Sequence, residues 1–420
     1  MSDTILVLGG GIAGITAALE AAEAGAKVYL VEKNPHLGGR VAQLARYFPK
    51  LCPPTCGLEI NYRRLRDNPN IEVLTTTELT ALQGSPGDYK ATLARHPRYV
   101  NDRCTACGAC VDPCPVERPN PFDYGMTTTK TISLGHEMAY PMKYAIDEST
   151  CLFDSCAKCV QACPYDAIDL HMQQEILELT VGAVVIATGW KPYDAGTIAN
   201  LAFGHFPDVV TNVMFERMLA SNGPSGGIVI RPSDGKAVES VAFIQCAGSR
   251  DRLYLSYCSS ICCLASLKEA SLLLERNPQA SAYIFYIDLR TPGTYQSFAS
   301  KVLDHPRISA IKGKVADILL EPGSGQLVVV ADDMVSGAMS HTSVDLVVLA
   351  TGMEPSLAEG RPQGEMDFDP YGFVLQGSDP SGVFAAGCAR APVDVATATL
   401  DGTAAAMSAI RASRQMVVVP

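Results

Sequence analysis

Thr4-Ile5-Leu6-Val7-Leu8-Gly9-Gly10-Gly11-Ile12-Ala13-Gly14 is the stretch from which the fold is read. An apolar run without alternation predicts a buried parallel strand, and the glycines fall where that strand must turn into a helix. An Ala-rich helical stretch follows and is expected to stop near Gly25; a second strand, Lys27 to Val31, ends in Glu32 and Lys33. Gly9 allows the turn. Gly11 lets the N–H groups of the helix start, Ile12 and Ala13 included, approach a pyrophosphate, and Gly14 permits close helix–strand packing. Glu32 can accept hydrogen bonds from both ribose hydroxyls and would repel a 2′-phosphate. A merely glycine-rich turn is the alternative; strand, helix and terminal acid in sequence favour a dinucleotide.

Two near-copies of one cysteine run come next: Cys104, Cys107, Cys110 and Cys114-Pro115, then Cys151, Cys156, Cys159 and Cys163-Pro164. This is the spacing with which bacterial two-cluster ferredoxins hold a pair of 4Fe–4S cubes. Three close thiolates on a tight loop meet three corners of one cube, while the fourth, starting the following short helix, is aimed at the other. By that crossing, cluster I takes Cys104, Cys107, Cys110 and Cys163, and cluster II takes Cys151, Cys156, Cys159 and Cys114. A zinc ribbon needs only two Cys-x2-Cys pairs and accounts for neither the third cysteine of each run nor the prolines.

Composition agrees with a globular electron carrier. The chain has 420 residues, 47% hydrophobic and 18% charged, enough for two or three domains. Fifteen cysteines, an odd count, suit a reducing compartment better than a disulfide scaffold. Met1-Ser2-Asp3-Thr4 leads into a strand without a charged leader, and no apolar run approaches the roughly 20 residues of a membrane span, so a cytoplasmic protein is expected. A net charge of −11 argues against nucleic acid or anionic lipid as a direct partner.

The segments after the first strands resemble the two-dinucleotide-binding-domain flavoproteins of the thioredoxin reductase and glutathione reductase type. Gly38-Gly39-Arg40 is similar to their second phosphate-contacting element, which implies FAD. Val184-Val185-Ile186-Ala187-Thr188-Gly189 and Val347-Val348-Leu349-Ala350-Thr351-Gly352 resemble their paired connections between FAD and second domains. Gly382-Val383-Phe384-Ala385-Ala386-Gly387 resembles the last flavin-contacting strand. That family usually continues Gly-Asp, with the Asp on the ribityl chain; here the pair is Gly387-Cys388, which puts the ribityl hydrogen bond in doubt and leaves backbone N–H groups of Asp394 to Thr399, Val395 and Ala396 among them, to contact the isoalloxazine edge. Cys388 is then a small residue packed by the flavin, or a ligand. The expected fold is α/β, with a two-cluster ferredoxin inserted in the flavoprotein. The expected division is an FAD domain at 1–95, 173–199 and 346–420, the insert at 96–172, and a second domain at 200–345.

The second domain lacks the glycine-rich loop that would admit NAD(P)H. Its first strand, Val241 to Ile244, runs into Gln245-Cys246-Ala247-Gly248-Ser249-Arg250-Asp251, and Tyr257-Cys258-Ser259-Ser260-Ile261-Cys262-Cys263 comes after it. Cys246, Cys258, Cys262 and Cys263 are a third 4Fe–4S ligand set, a redox dithiol or a core patch; their place at the mouth of a parallel sheet favours the first. A helix is expected from about Ser260 to Leu274 and a strand from Tyr283 to Ile287. The insert, the Gln-Cys-Ala-Gly-Ser-Arg-Asp turn and the Cys-x3-Cys-Cys element together resemble the A subunits of heterodisulfide reductases, as do Ile287-Asp288-Leu289-Arg290-Thr291 and Gly387-Cys388-Ala389-Arg390-Ala391-Pro392. In that family the corresponding four cysteines hold a non-standard cluster near FAD. The sequence departs from the methanogen subunits by lacking an added N-terminal domain and a C-terminal ferredoxin, and in that shorter form it resembles the A subunits of the quinone-interacting membrane-bound oxidoreductases (Qmo) of sulfate reducers.

That resemblance implies an electron-transfer subunit without substrate chemistry of its own. Its implied partners are a second flavin and iron–sulfur subunit, a membrane cytochrome b and iron–sulfur subunit that attaches it to the inner membrane and the menaquinone pool, and adenylylsulfate reductase. Three other readings stay open: a soluble heterodisulfide reductase-type complex, bifurcating or not, an NAD(P)H-dependent flavoenzyme like the small subunit of glutamate synthase, and an assembly scaffold with a structural flavin. Cys52-Pro53-Pro54-Thr55-Cys56 is expected to be a rigid turn near the flavin, with ligand or redox roles as alternatives, and His36 a surface residue.

Overall fold

The computed structural model describes residues 3–364, 366–376 and 382–414. Met1 and Ser2, together with 365, 377–381 and 415–420 of the expected last FAD segment, lie outside them. The strand Thr4–Leu8 sits at the centre of a five-stranded parallel sheet, with Ala183–Ile186 and then Val383–Ala385 on one side, Lys27–Val31 and Ile71–Leu74 on the other. Both of its faces are covered, which is why its sequence does not alternate. Ile5 and Val7 pack under the helices Ile12–Glu23 and Val395–Arg414, while Leu6 and Leu8 pack on the four-stranded sheet of Glu175–Val181, Asp88–Arg95, Thr77–Ser85 and Gln363–Gly364.

The inserted segment leaves one strand of that small sheet and returns on its neighbour. Asp88–Arg95 and Glu175–Val181 are antiparallel partners in register Arg95 with Glu175. The exits are closed again by the bridge of Val100 with Ile168, and Asn101 N donates to Ala167 O at 2.8 Å. Inside, the ladders are short: Glu117–Pro119 with Thr128–Lys130, and Ile132–Ser133 with Ala145–Ile146. The core consists of Tyr99, Val100, Cys110, Ile132, Ile146, Ile168 and Leu170, with further cysteines packed round it. So small an apolar set leaves the segment dependent on something besides hydrophobic burial for its shape.

The second sheet has seven strands in the order Val209–Thr211, Leu346–Thr351, Ser240–Ala247, Ser281–Tyr286, Ile308–Leu320, Leu327–Asp333 and Ala338–Val344. Leu346–Thr351, expected to open the last FAD segment, is an inner strand here, its whole length buried between two parallel neighbours. The helix expected near Ser260 to Leu274 spans Cys262–Arg276, and the strand expected at Tyr283 to Ile287 spans Ser281–Tyr286. The two connections between halves, Trp190–Pro192 and Met353–Pro355, pair antiparallel with each other.

Gly14 holds the first helix against its strand. A Cβ there would lie 1.8 Å from Gly9 O, an approach that the backbone would have to open to relieve. Gly14→Ala is therefore expected to destabilise the protein by about 3 kcal/mol, read as a lower urea midpoint together with reduced flavin content; an unchanged midpoint would show that the contact relaxes freely.

Candidate functional site

The nucleotide cradle is built from three loops meeting at the start of helix Ile12–Glu23. Gly9 takes φ +107° and its N–H donates to Val31 O at 2.7 Å, so the turn is pinned to the second strand. Gly10 N donates to Glu32 Oε2 at 2.7 Å, and Asn34 donates to Oε1 from its backbone N at 2.8 Å and from Nδ2 at 2.7 Å. Burial lifts the Glu32 carboxyl above the usual carboxylate range, and those donors oppose it. Gly38 N donates to Gly10 O at 2.8 Å and brings Gly39 against Gly11, where a Cβ on Gly39 would be 2.9 Å from Gly11 Cα. A Cβ on Gly11 meets nothing nearer than 4.0 Å, so the helix start faces open space, as a pyrophosphate needs.

The other expected flavin residues divide between two places. Ala187 lies against Gly9, Gly387 against Ala13 and Ala398, and Thr188 buries its hydroxyl without a protein partner. Gly189 turns the chain at φ +70°. Val395 and Ala396 open the last helix, whose start is tied by Thr397 N donating to Asp394 Oδ1 at 2.7 Å. Cys388 points its Sγ at Val393 O, 3.5 Å away, and burial pushes its thiol up to about 11. Lys33 is exposed. Thr351 and Gly352, in contrast, face into the second sheet: Thr351 N and Oγ1 donate to Asn212 Oδ1 at 3.3 and 3.0 Å. Arg40 turns toward the inserted segment, with Nε donating to Trp190 O at 3.2 Å and Nη1 to Gln43 Oε1 and Tyr124 Oη at 3.1 Å each.

The eight ferredoxin-spaced cysteines surround two cavities, and each cavity takes three from one run and one from the other. Cys104, Cys107, Cys110 and Cys163 line one; Cys151, Cys156, Cys159 and Cys114 line the second. These are the crossed sets that the spacing implies. Left-handed backbone at Ala106, Gly108, Phe153 and Ala157 curls each loop, and Phe153 N and Ala167 N donate to Cys151 Sγ and Cys163 Sγ at 3.3 and 3.4 Å. Such N–H groups aimed at sulfur favour negative charge there. Burial pushes the Cys110 thiol up to about 12 and raises Cys159 as well, so thiolates at these positions need cations beside them. The donor set and the cavities fit 4Fe–4S cubes.

In the second sheet, Cys246 sits at a bulge between Ile244 and Ala247 with φ +58°, which throws its side chain out of strand register. Cys262 and Cys263 open their helix, with Cys262 Sγ 3.6 Å from Thr351 O and Cys263 Sγ 3.8 Å from Asp288 O. Burial leads in raising the Cys246 thiol, followed by the charge of Cys263 and, after the opposing charge of Arg250, that of Cys258. Arg250 and Asp288 form an ion pair, joining the two segments singled out in the sequence, and Arg290 Nε donates to Asp288 Oδ2 at 3.3 Å. Further along the helix, Lys268 pairs with Glu216, and burial with the charge of Glu216 holds Glu269 well above the carboxylate range.

Two sequence expectations change. Cys56 lies in the first turn of a helix, Pro54–Asp67, rather than in a rigid turn; Pro54 tolerates the first helical position because its missing N–H would have no partner there. Cys52 bridges Tyr47, and both thiols lie near the Tyr47 hydroxyl. His36 is half-buried rather than a free surface residue: its ring packs edge-on to His136 at 4.5 Å, and burial lowers its pKa. Nothing in the sequence marks His136 as its neighbour, nor the buried Arg217–Asp123 pair that lies close by.

If the crossed sets hold the cubes, Cys163→Ser will damage the cluster whose other ligands lie in the first run, leaving the EPR signal of the cluster held by Cys151, Cys156 and Cys159 recognisable. Damage confined to the second cluster would contradict the pairing.

Comparison with known proteins agrees with this geometry. Residues 4–53 match the family described as FAD dependent oxidoreductase, and residues 103–167 match the 4Fe-4S dicluster domain. The iron-sulfur A subunit of CoB–CoM heterodisulfide reductase from Methanocaldococcus jannaschii is 37% identical over 96% of this chain and 63% of its own length. The A subunit of the H(2):CoB-CoM heterodisulfide,ferredoxin reductase from Methanothermobacter thermautotrophicus is 34% identical over 97% of this chain and 64% of its own. The chain thus spans less than two thirds of the length of these relatives. Among solved structures, thioredoxin reductase from Lactococcus lactis in its FR conformation aligns with TM-score 0.54 at 14% identity, covering 98% of this chain and 99% of that one. The T. acidophilum thioredoxin reductase gives 0.52 at 14% identity, covering 98% of each. The chain has the fold of the thioredoxin reductases, with an FAD dependent oxidoreductase match over its first strands and glycine turn and a 4Fe–4S dicluster match in the insert.

Proposed function

We propose that the chain is the FAD and iron–sulfur electron-transfer subunit of a heterodisulfide reductase-like complex, with a third 4Fe–4S cluster on Cys246, Cys258, Cys262 and Cys263. The observation that carries this reading is the gathering of those four thiols at the strand-end loop where a nucleotide-binding domain would place its glycines. Bound FAD supplies the coupling of two-electron to one-electron steps that a chain of cubes requires. The residues proposed to hold it are Gly9 to Gly14, Glu32, Lys33, Gly38 to Arg40, Ala187 to Gly189, Gly387, Cys388, Val395 and Ala396; Thr351 and Gly352, expected from the sequence in the same role, face the second sheet instead. Their backbone N–H groups, glycine gaps and small side chains bind and orient the dinucleotide. The eight cysteines of the insert ligate the two cubes there and set their surroundings, and no residue of the chain is assigned a substrate. The proposed domain division is the one expected from the sequence, with Leu346–Thr351 completing the second sheet.

The finer proposal follows the resemblance to the quinone-interacting oxidoreductases: electrons pass between the menaquinone pool, through a second flavin subunit and a membrane cytochrome b subunit, and adenylylsulfate reductase. Among the described residues no helix is long and apolar enough to cross a membrane, so attachment at the inner membrane would come from those partners. A second reading, the A subunit of a soluble heterodisulfide reductase-type complex, is favoured by the relatives that the chain matches.

Two measurements test the proposal. NADH and NADPH are expected to bind weakly or not at all, because Cys246 stands where a pyrophosphate would need bare backbone; rapid anaerobic bleaching of the flavin by micromolar NADH would return the chain to the glutamate synthase-like class. Iron analysis of anaerobically prepared protein should give about twelve irons per FAD, and Cys258→Ser should remove about four while both ferredoxin signals survive. An unchanged iron count in that variant would leave these cysteines as core packing or a dithiol.

A further inference from the structure

We infer that Arg217 and Asp123 are positioning residues for electron transfer, clamping the inserted dicluster segment onto the flavin loop and the second sheet at once. Arg217 is 1% exposed and lies on the helix Asn212–Leu219 of the second sheet's unit; Asp123, 6% exposed, lies in the insert. Arg217 Nε donates to Asp123 Oδ1 at 2.8 Å, and its remaining donors reach Gln43 O at 3.4 Å, Asn222 Oδ1 at 3.2 Å and Asn222 O at 3.0 Å. The guanidinium also lies over the Phe122 ring, 4.6 Å from its centroid. Gln43 belongs to the loop that carries Gly38-Gly39-Arg40, so one cation ties together all three parts of the molecule.

The insert's side of the clamp is equally fixed. Asp123 Oδ2 accepts from Asn120 Nδ2 at 3.1 Å and Thr127 Oγ1 at 2.7 Å, which makes the corner rigid. From the flavin side, Gln43 Nε2 donates to Phe122 O at 3.1 Å, and Tyr124 Oη donates to Gln43 Oε1 at 3.0 Å. A buried, fully hydrogen-bonded ion pair is a poor source of stability compared with apolar packing of the same volume. It is a good source of a single orientation. Electron transfer between fixed centres falls steeply with separation, so orientation is what this chemistry needs from the protein.

The inference rests on the proposed electron path, and its test separates the two. Electrons are injected into the oxidised, fully loaded protein by flash from a ruthenium photoreductant, and the redistribution from cubes to flavin is followed by absorbance. Each step moves one electron from a reduced cube; flavin reduction consumes two, with protons from water, and no bond to the protein changes. In Arg217→Met/Asp123→Leu, which leaves no lone buried charge, redistribution should slow by about tenfold or more, with iron and flavin content and cluster EPR line shapes unchanged. Amide exchange at Phe122 to Met126 should rise in the same variant while the Thr4–Leu8 strand stays protected. Gln43→Leu, which removes the side-chain bonds to Phe122 O, Tyr124 and Arg40 but keeps the carbonyl that Arg217 reaches, should shift both readouts in the same direction by less. Unchanged redistribution and unchanged exchange would overturn the clamp. If the unaltered protein shows no redistribution at all, the proposed path falls, and exchange alone then decides the clamp: raised exchange supports it and unchanged exchange overturns it.

Discussion

The arrangement depends on one strand pair, Asp88–Arg95 with Glu175–Val181. Their antiparallel ladder places the exit and return of the insert side by side, so the insert adds to the flavoprotein without displacing any strand of the five-stranded sheet. Because a two-strand connection tolerates long insertions at little entropic cost, the ladder survives the loop. The same ladder packs through Leu93 and Val181 beneath Leu6 and Leu8 of the nucleotide strand, which couples the position of the insert to that of the cradle.

Electrostatics then divides the molecule into a dinucleotide side and a thiolate side. At the cradle, N–H groups, a helix start and a buried carboxylate that accepts from Gly10 and Asn34 define where an anion and a ribose would lie. On the thiolate side, burial raises Cys110, Cys159, Cys246, Cys262 and Cys263, each a group that favours the neutral form without a nearby cation. Iron in a cube would supply that cation, and with it the cohesion that the insert's small apolar core lacks.

Much of this was legible in the residues. Strand, glycine turn, helix and terminal acid are local features, each dictated within about 30 residues, and the cysteine spacing implies the same crossed sets of four that line the two cavities. Long-range packing was not legible. Leu346–Thr351 has the same apolar run whether it closes one sheet or joins the other, and only its pairing with Val209–Thr211 and Ser240–Ala247 decides between them. His36 reads as a surface residue until Gly135 and His136 fold over it. Arg40 carries the family's position but turns to Trp190, Gln43 and Tyr124, partners far away in sequence or of no recognisable pattern. Arg217 and Asp123 look like ordinary surface charges until the three parts meet.

The central claim is that a hairpin of the flavoprotein carries two cubes, each ligated across both cysteine runs. Anomalous diffraction at the iron edge from anaerobically grown crystals tests it most directly. One iron peak is expected within the ring of Cys104, Cys107, Cys110 and Cys163, and another within that of Cys151, Cys156, Cys159 and Cys114. Peaks enclosed by each run's own four cysteines, or zinc-edge signal in their place, would contradict it.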